Sequence, residues 1–113
     1  MAKRKIGENA VVSEIIEYLT WKGIFCWQNK NIATYDKKTG GYRKFGKHQI
    51  AGISDILGIL KNGKMLAIEC KDGNNKATEA QRMFIYNIRN NGGIAFVAYG
   101  IDDVKEYLDR MVL

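Results

Sequence analysis

The sequence predicts an α/β fold, a mixed sheet flanked by helices, and three observations carry that prediction. Within residues 8–22, Val12, Ile15, Ile16 and Leu19 recur at helical spacing. SDILGIL (54–60) and KMLAIECK (64–71) are two apolar runs joined through Lys61, Asn62 and Gly63, a hairpin signal because Asn and Gly accept turn dihedrals. A second helical segment, TEAQRMFIYNIRNNG (78–92), then leads into the apolar run IAFVAYG (94–100). Hairpin, helix and strand in that order describe a sheet covered by helices.

The remaining elements follow along the chain. The first helix has a plausible stop at Gly23, and IFCWQN (24–29) reads as a strand. Residues 30–52 are polar, basic and glycine-rich. A structureless loop of that length is unusual in a compact domain, so an inserted hairpin turning at Thr39, Gly40 and Gly41 is expected. In the second helix Gln81, Phe84, Ile85 and Ile88 share one face, and the helix ends at Gly92 or Gly93. IAFVAYG is a buried strand, and DDVKEYLDRMV closes the chain as a short amphipathic helix. The resulting order is αββ(β)αβα. No repeat or linker divides it, and one domain is expected across residues 1–113, with the basic insertion at about 30–52. Trp21, Trp27 and the Phe residues are read as core or subunit-contact side chains, and Cys26 and Cys70 as small buried ones.

Composition narrows the chemistry. A 46% hydrophobic content suffices for a modest core, and 18 Lys and Arg against 12 Asp and Glu give a net charge of +6. That balance favours an anionic partner such as nucleic acid over a merely solubilising surface. Two Cys and one His cannot build a four-ligand zinc site without carboxylates, and a Cys-His nucleophile would depend on His48 alone, which reads better as a surface residue. The start MAKRK lacks a following apolar stretch and no run reaches membrane-spanning length. An intracellular, soluble protein with no membrane partner is expected.

The run MLAIECKDG (65–73) is the most informative. Strand side chains alternate, so Glu69 and Lys71 project together and Cys70 points the other way. Whether Asp55 joins them depends on the turn. A two-residue Asn62-Gly63 turn pairs Lys61 with Lys64 and sends Asp55 to the opposite face. A three-residue turn with a left-handed Gly63 pairs Leu60 with Lys64 and sets Asp55 opposite Glu69. Both suit the residues; the second is adopted as the working hypothesis because it gathers two carboxylates and an ammonium on one face.

Two hard carboxylates at one strand end suit Mg²⁺ or Mn²⁺, with the backbone carbonyl of Cys70 as a further ligand. Such a metal polarises a phosphodiester and activates a water, while Lys71 orients that water or stabilises developing charge. The competing reading is a surface ion-pair cluster of Asp, Lys and Glu.

Ser54-Asp55 followed fourteen residues later by Glu69-Cys70-Lys71 resembles the PD-(D/E)xK nuclease core, a restriction-endonuclease-like fold. Glu8, WQN (27–29), GISDI (52–56), AIECK (67–71) and TEAQ (78–81) together resemble the VRR-NUC domain, from about Glu8 to Tyr99. Ser54 replaces the proline of the motif, and residues 30–52 match no family pattern. The resemblance implies metal-dependent phosphodiester cleavage of DNA. Asp55 and Glu69 would be metal ligands, Lys71 the catalytic lysine and Glu8 a helix-borne carboxylate reaching the metal through water. Glu8 lies on the stripe of Val12, Ile15 and Leu19, which Glu14 and Glu17 do not share; the competing reading is a first-turn acid that merely complements the helix dipole. Gln81 has two open roles: a glutamine beside the active site, as the family implies, or the partner of Thr78 in a capping box. Asn29 reads more readily as a turn residue than as a cleft residue.

Substrate recognition is expected in the insertion, where Lys37, Lys38, Arg43, Lys44 and Lys47 are interleaved with Tyr35, Tyr42 and Phe45. Basic and aromatic residues together suit phosphate neutralisation with stacking on unpaired bases; a solvated hairpin with no partner is the alternative, and a dimer contact built from the aromatics is compatible with either. Lys3, Arg4 and Lys5 could add phosphate contacts. Three functions are compatible: a structure-specific DNA endonuclease, a non-cutting DNA-binding module, and an interaction subunit of a repair or replication assembly. The first is favoured. The small stand-alone phage and bacterial proteins it resembles imply a homodimer acting on a four-way junction.

Overall fold

A computed structural model of the chain describes residues 7–30, 35–36, 41–42 and 47–110. Helix α1 (Glu8–Trp21) forms where the apolar spacing predicts it and buries Val11, Val12, Ile15 and Leu19. It leads through a turn into strand β1 (Phe25–Gln28). Two short strands, β2 (Tyr35–Asp36) and β3 (Gly41–Tyr42), pair antiparallel as a separate ribbon, Tyr35 opposite Tyr42. The expected inserted hairpin is therefore present, but its turn lies outside the described residues, and Gly41 belongs to a strand.

Strands β4 (Ile56–Ile59) and β5 (Met65–Cys70) form the antiparallel hairpin. Leu60 N–H donates to the Lys64 carbonyl (2.9 Å), Gly63 N–H donates to the Leu60 carbonyl (2.8 Å), and Gly63 adopts φ 87°. This is the three-residue turn, made possible by the left-handed freedom of glycine. Helix α2 (Glu79–Asn90), strand β6 (Ile94–Ala98) and helix α3 (Ile101–Asp109) complete the chain. The sheet order is β1-β4-β5-β6, antiparallel except for the parallel β5-β6 pair that the α2 crossover makes possible. The sheet is therefore mixed and the fold α/β, as predicted.

Alternation along the strands assigns the two faces. Ile56, Leu66, Ile68, Cys70, Phe96 and Ala98 pack with α1 and α3 in the main core. Ala67 and Ala95 pack with Ile85 of α2 in a smaller core, joined by Leu57, Phe84, Ile88 and Val97. One helix thus covers only part of the second face. Trp21, Phe25 and Trp27 are exposed, which corrects the core half of their reading as core or subunit-contact residues. Phe25 and Trp27 are apolar members of an edge strand, on the part of the second face that α2 does not reach. No helix among the described residues is long and apolar enough to cross a membrane.

Candidate active site

The hairpin register places Asp55 and Glu69 side by side. Ile56 pairs with Ile68, so one step beyond β4 Asp55 falls opposite Glu69. Counting from the hydrogen-bonded Leu60 and Lys64, this is a non-hydrogen-bonded position, where Cα atoms approach to ~4.5 Å and side chains are closest. Two contacts hold Asp55 there. Its Oδ2 accepts from the Cys70 amide at 2.8 Å, and its carbonyl accepts from the Asn29 amide at 2.7 Å. Asn29 therefore continues the β1-β4 ladder rather than turning away, and Asn29, Asp55 and Glu69 form one row across three strands.

Glu69 is 2% exposed and its Oε1 has no hydrogen-bond partner. Burial, reinforced by the hydrogen bond to Asp55 and by its charge, pushes the Glu69 carboxyl up to about 9 against the opposing pull of Lys71. Lys71 is 8% exposed, and its amide donates to the Ala98 carbonyl at 3.0 Å, extending the β5-β6 pairing one residue past the strand. Its Nζ stands 3.9 Å from Glu69 Oε2 and 3.9 Å from Glu8 Oε1. Both distances are too long for hydrogen bonds, so the ammonium is attracted but not locked. Glu8, the first residue of α1 and half-exposed, thus reaches the site from a separate element. The Cys70 thiol is turned into the core, and burial pushes it up, away from the reactive thiolate form.

The capping box is present in α2: Gln81 N–H donates to Thr78 Oγ1, and Gln81 Oε1 accepts from the Thr78 amide at 2.8 Å. Gln81 is half-buried. A feature not singled out from sequence is the tight approach of Gly52 to this helix end. With φ 77°, a Cβ there would lie 2.4 Å from the Ala80 carbonyl carbon and 2.6 Å from the Gln81 nitrogen. The glycine before ISD was its only sequence signal. Of the predicted DNA-binding residues, Lys47 is exposed in a turn, whereas Lys37, Lys38, Arg43 and Lys44 lie outside the described residues, as do Lys3, Arg4 and Lys5.

The donor set suits a hard divalent cation. Paired carboxylates, one with an orphaned buried oxygen, together with a main-chain carbonyl suit Mg²⁺ or Mn²⁺, which keep several waters. Among the described residues no group of three or more His, Cys, Asp or Glu side chains converges as a ready cage.

No family model matches the chain, and no curated protein matches it. A solved structure named "VRR_NUC domain protein" matches over 94% of this chain and 88% of its own, with 24% identity and a TM-score of 0.64. The chain has the VRR_NUC fold. In that fold the hairpin, the parallel β6 and the start of α1 together bring Glu8, Asp55, Glu69 and Lys71 to one end of the sheet, while Gln81 sits at the helix end packed against Gly52.

Proposed function

We propose that the protein is a divalent-metal-dependent DNA endonuclease that hydrolyses phosphodiester bonds, acting as a homodimeric four-way junction resolvase inside the cell, in the cytoplasm or nucleoid of a bacterial or phage-infected host. The observation that carries this reading is the placement of Asp55 and Glu69 side by side with Lys71 Nζ 3.9 Å from Glu69. The VRR_NUC fold supports it.

Asp55, Glu69 and the Cys70 carbonyl would hold Mg²⁺ or Mn²⁺, with Glu8 reaching it through water. The Cys70 carbonyl leaves the strand on the same side as its amide, toward Asp55. When bound, the ion supplies Lewis-acid activation of the phosphate and of a water. Lys71 presents its Nζ to the attacking water or to the phosphorane oxygens, where an unlocked ammonium stabilises charge that exists only in the transition state. Asp55 is aimed by the Cys70 amide. Glu8 keeps the ammonium between two acids. Lys37, Lys38, Arg43, Lys44 and Lys47 are assigned to the phosphate backbone, and Gln81 to the edge of the site in addition to its cap. Two copies about a two-fold axis would present two such sites to a symmetric junction.

The test is a denaturing-gel assay on end-labelled four-way junction, flap and linear duplex with Mg²⁺ or Mn²⁺, an EDTA control and Lys71→Ala. Metal-dependent cuts lost in the variant support the nuclease, and paired cuts on the junction alone support the resolvase. Tight binding without cutting on any substrate would replace both with a binding module.

A further inference from the structure

Three apolar side chains stand bare on the same sheet face as the candidate site. Phe25 is 67% exposed, Trp27 39% and Ile59 43%. The register shows how they lie. Phe25 pairs with Ile59 and Trp27 with Leu57, and alternation puts them on the face that carries Asn29, Asp55 and Glu69. Helix α2 covers this face over β5 and β6 and leaves β1 open. The two rings are 5.3 Å apart and tilted by 47°, so each offers a separate flat face.

We infer that Phe25 and Trp27 form a stacking platform for unpaired nucleobases of the substrate strand, leading away from the carboxylates. This rests on the nuclease part of the proposed function, on a substrate with unpaired bases such as the flap, and not on the four-way junction, whose arms are fully paired. The platform is continuous with the site: Trp27 lies one same-face step, roughly 7 Å, from the Asn29-Asp55 row, and Phe25 lies roughly 13–14 Å away. At the 3.4 Å rise of a stacked strand, those spacings correspond to about two and about four nucleotides from the phosphate being cut. Size also selects the occupant. The three side chains leave open on the order of 300 Å², given ~150–250 Å² for an aromatic ring system. That is short of the roughly 450 Å² of apolar area within the ~800 Å² per partner of a standard protein interface and comparable to a few stacked bases. The exposed Lys30 beside Asn29 and the net charge of +6 fit an anionic strand. Ring faces accept any base, so the platform recognises unpaired structure and not sequence.

The experiment measures binding without cutting. In EDTA, fluorescence anisotropy compares a hairpin duplex bearing an oligothymidylate flap with the same hairpin blunt-ended. The proteins are wild type, Phe25→Ala, Trp27→Ala, Trp27→Phe and, as an exposed control at the end of α1, Trp21→Ala. Each of the first two alanine variants is expected to weaken flap binding about tenfold and blunt-hairpin binding less than about twofold, with Trp27→Phe retaining most of the affinity and Trp21→Ala unchanged. Equal losses on both DNAs, or none, would overturn the platform. So would a fall in sedimenting mass without a flap-selective loss, which would assign the face to a second copy of the chain. Far-UV circular dichroism checks that each variant is folded. The wild-type cleavage assay is scored separately. Cutting without flap-selective loss overturns the platform alone, and flap-selective loss without cutting overturns the nuclease alone.

Discussion

The amide of Cys70 donates to the carboxylate of Asp55 at 2.8 Å, so the strand that carries Glu69 also aims the acid it faces. Because the donor is main chain, no substitution at position 70 other than proline removes it. Asp55 is pre-set before any ligand arrives, and the adjustable group of the site is Lys71.

Lys71→Ala is expected to lower cleavage by about 10²–10³-fold, the usual cost of losing one charge-stabilising donor. Affinity for junction DNA should change by less than about threefold, because one cation among many phosphate contacts is lost. Single-turnover cleavage and anisotropy in EDTA separate the two. A loss confined to binding would remove Lys71 from the chemistry.

Glu69 gives the site a pH signature. Its folded value of about 9 lies above the ordinary carboxyl value of about 4.3, so its contribution to stability is complete below the latter and is lost as the pH rises through about 9. Metal-free protein should therefore melt at progressively lower temperature between about pH 5 and pH 9. A cation needs the ionised form, so Mn²⁺ affinity should rise about tenfold per pH unit below 9 with release of about one proton. Calorimetric titration in buffers of different ionisation heat reads that proton. Affinity independent of pH between 6 and 8 would contradict it.

Gly52→Ala should destabilise the protein by about 2–4 kcal/mol, from a left-handed backbone and a backbone clash with Ala80 and Gln81 that has no flexible partner to yield. Thermal unfolding measures it, and an unchanged midpoint would mean that the segment before Asp55 can move off the helix at little cost.

Gln81→Ala is expected to cost about 0.5–2 kcal/mol through the lost cap. Gln81→Glu keeps an acceptor for the Thr78 amide and should restore the melting temperature. If the Glu variant recovers stability yet cleaves as poorly as Ala, Gln81 also acts at the site; full recovery of cleavage would restrict it to capping.

The hairpin was readable because turn chemistry has few solutions: Lys-Asn-Gly admitted two registers, and only one put the acids together. The α1 stripe and the capping box were readable for similar reasons, each being a local pattern with a local cause. The openness of Phe25 and Trp27 was not, because alternation tells which side chains share a face but not how far a distant helix covers it. Nor was the fit of Gly52, since its neighbours Ala80 and Gln81 lie almost thirty residues along the chain. Asn29 looked like a turn residue because a polar residue ends an apolar run; what keeps it in the ladder is its amide, which donates to the Asp55 carbonyl, and side-chain type is a poor guide to such a main-chain bond.

The sheet's mixed pairing also implies an order of assembly. The β4-β5 ribbon closes through three residues, whereas β5 meets β6 only across the whole α2 crossover. Chain entropy favours the short closure first. That order would let Asp55 and Glu69 meet while still in water, before α2 and β6 bury Glu69. Their repulsion is a barrier that the early ribbon meets in a high-dielectric medium, where it is smallest. The low-dielectric pocket that makes the pair useful is built around it afterwards.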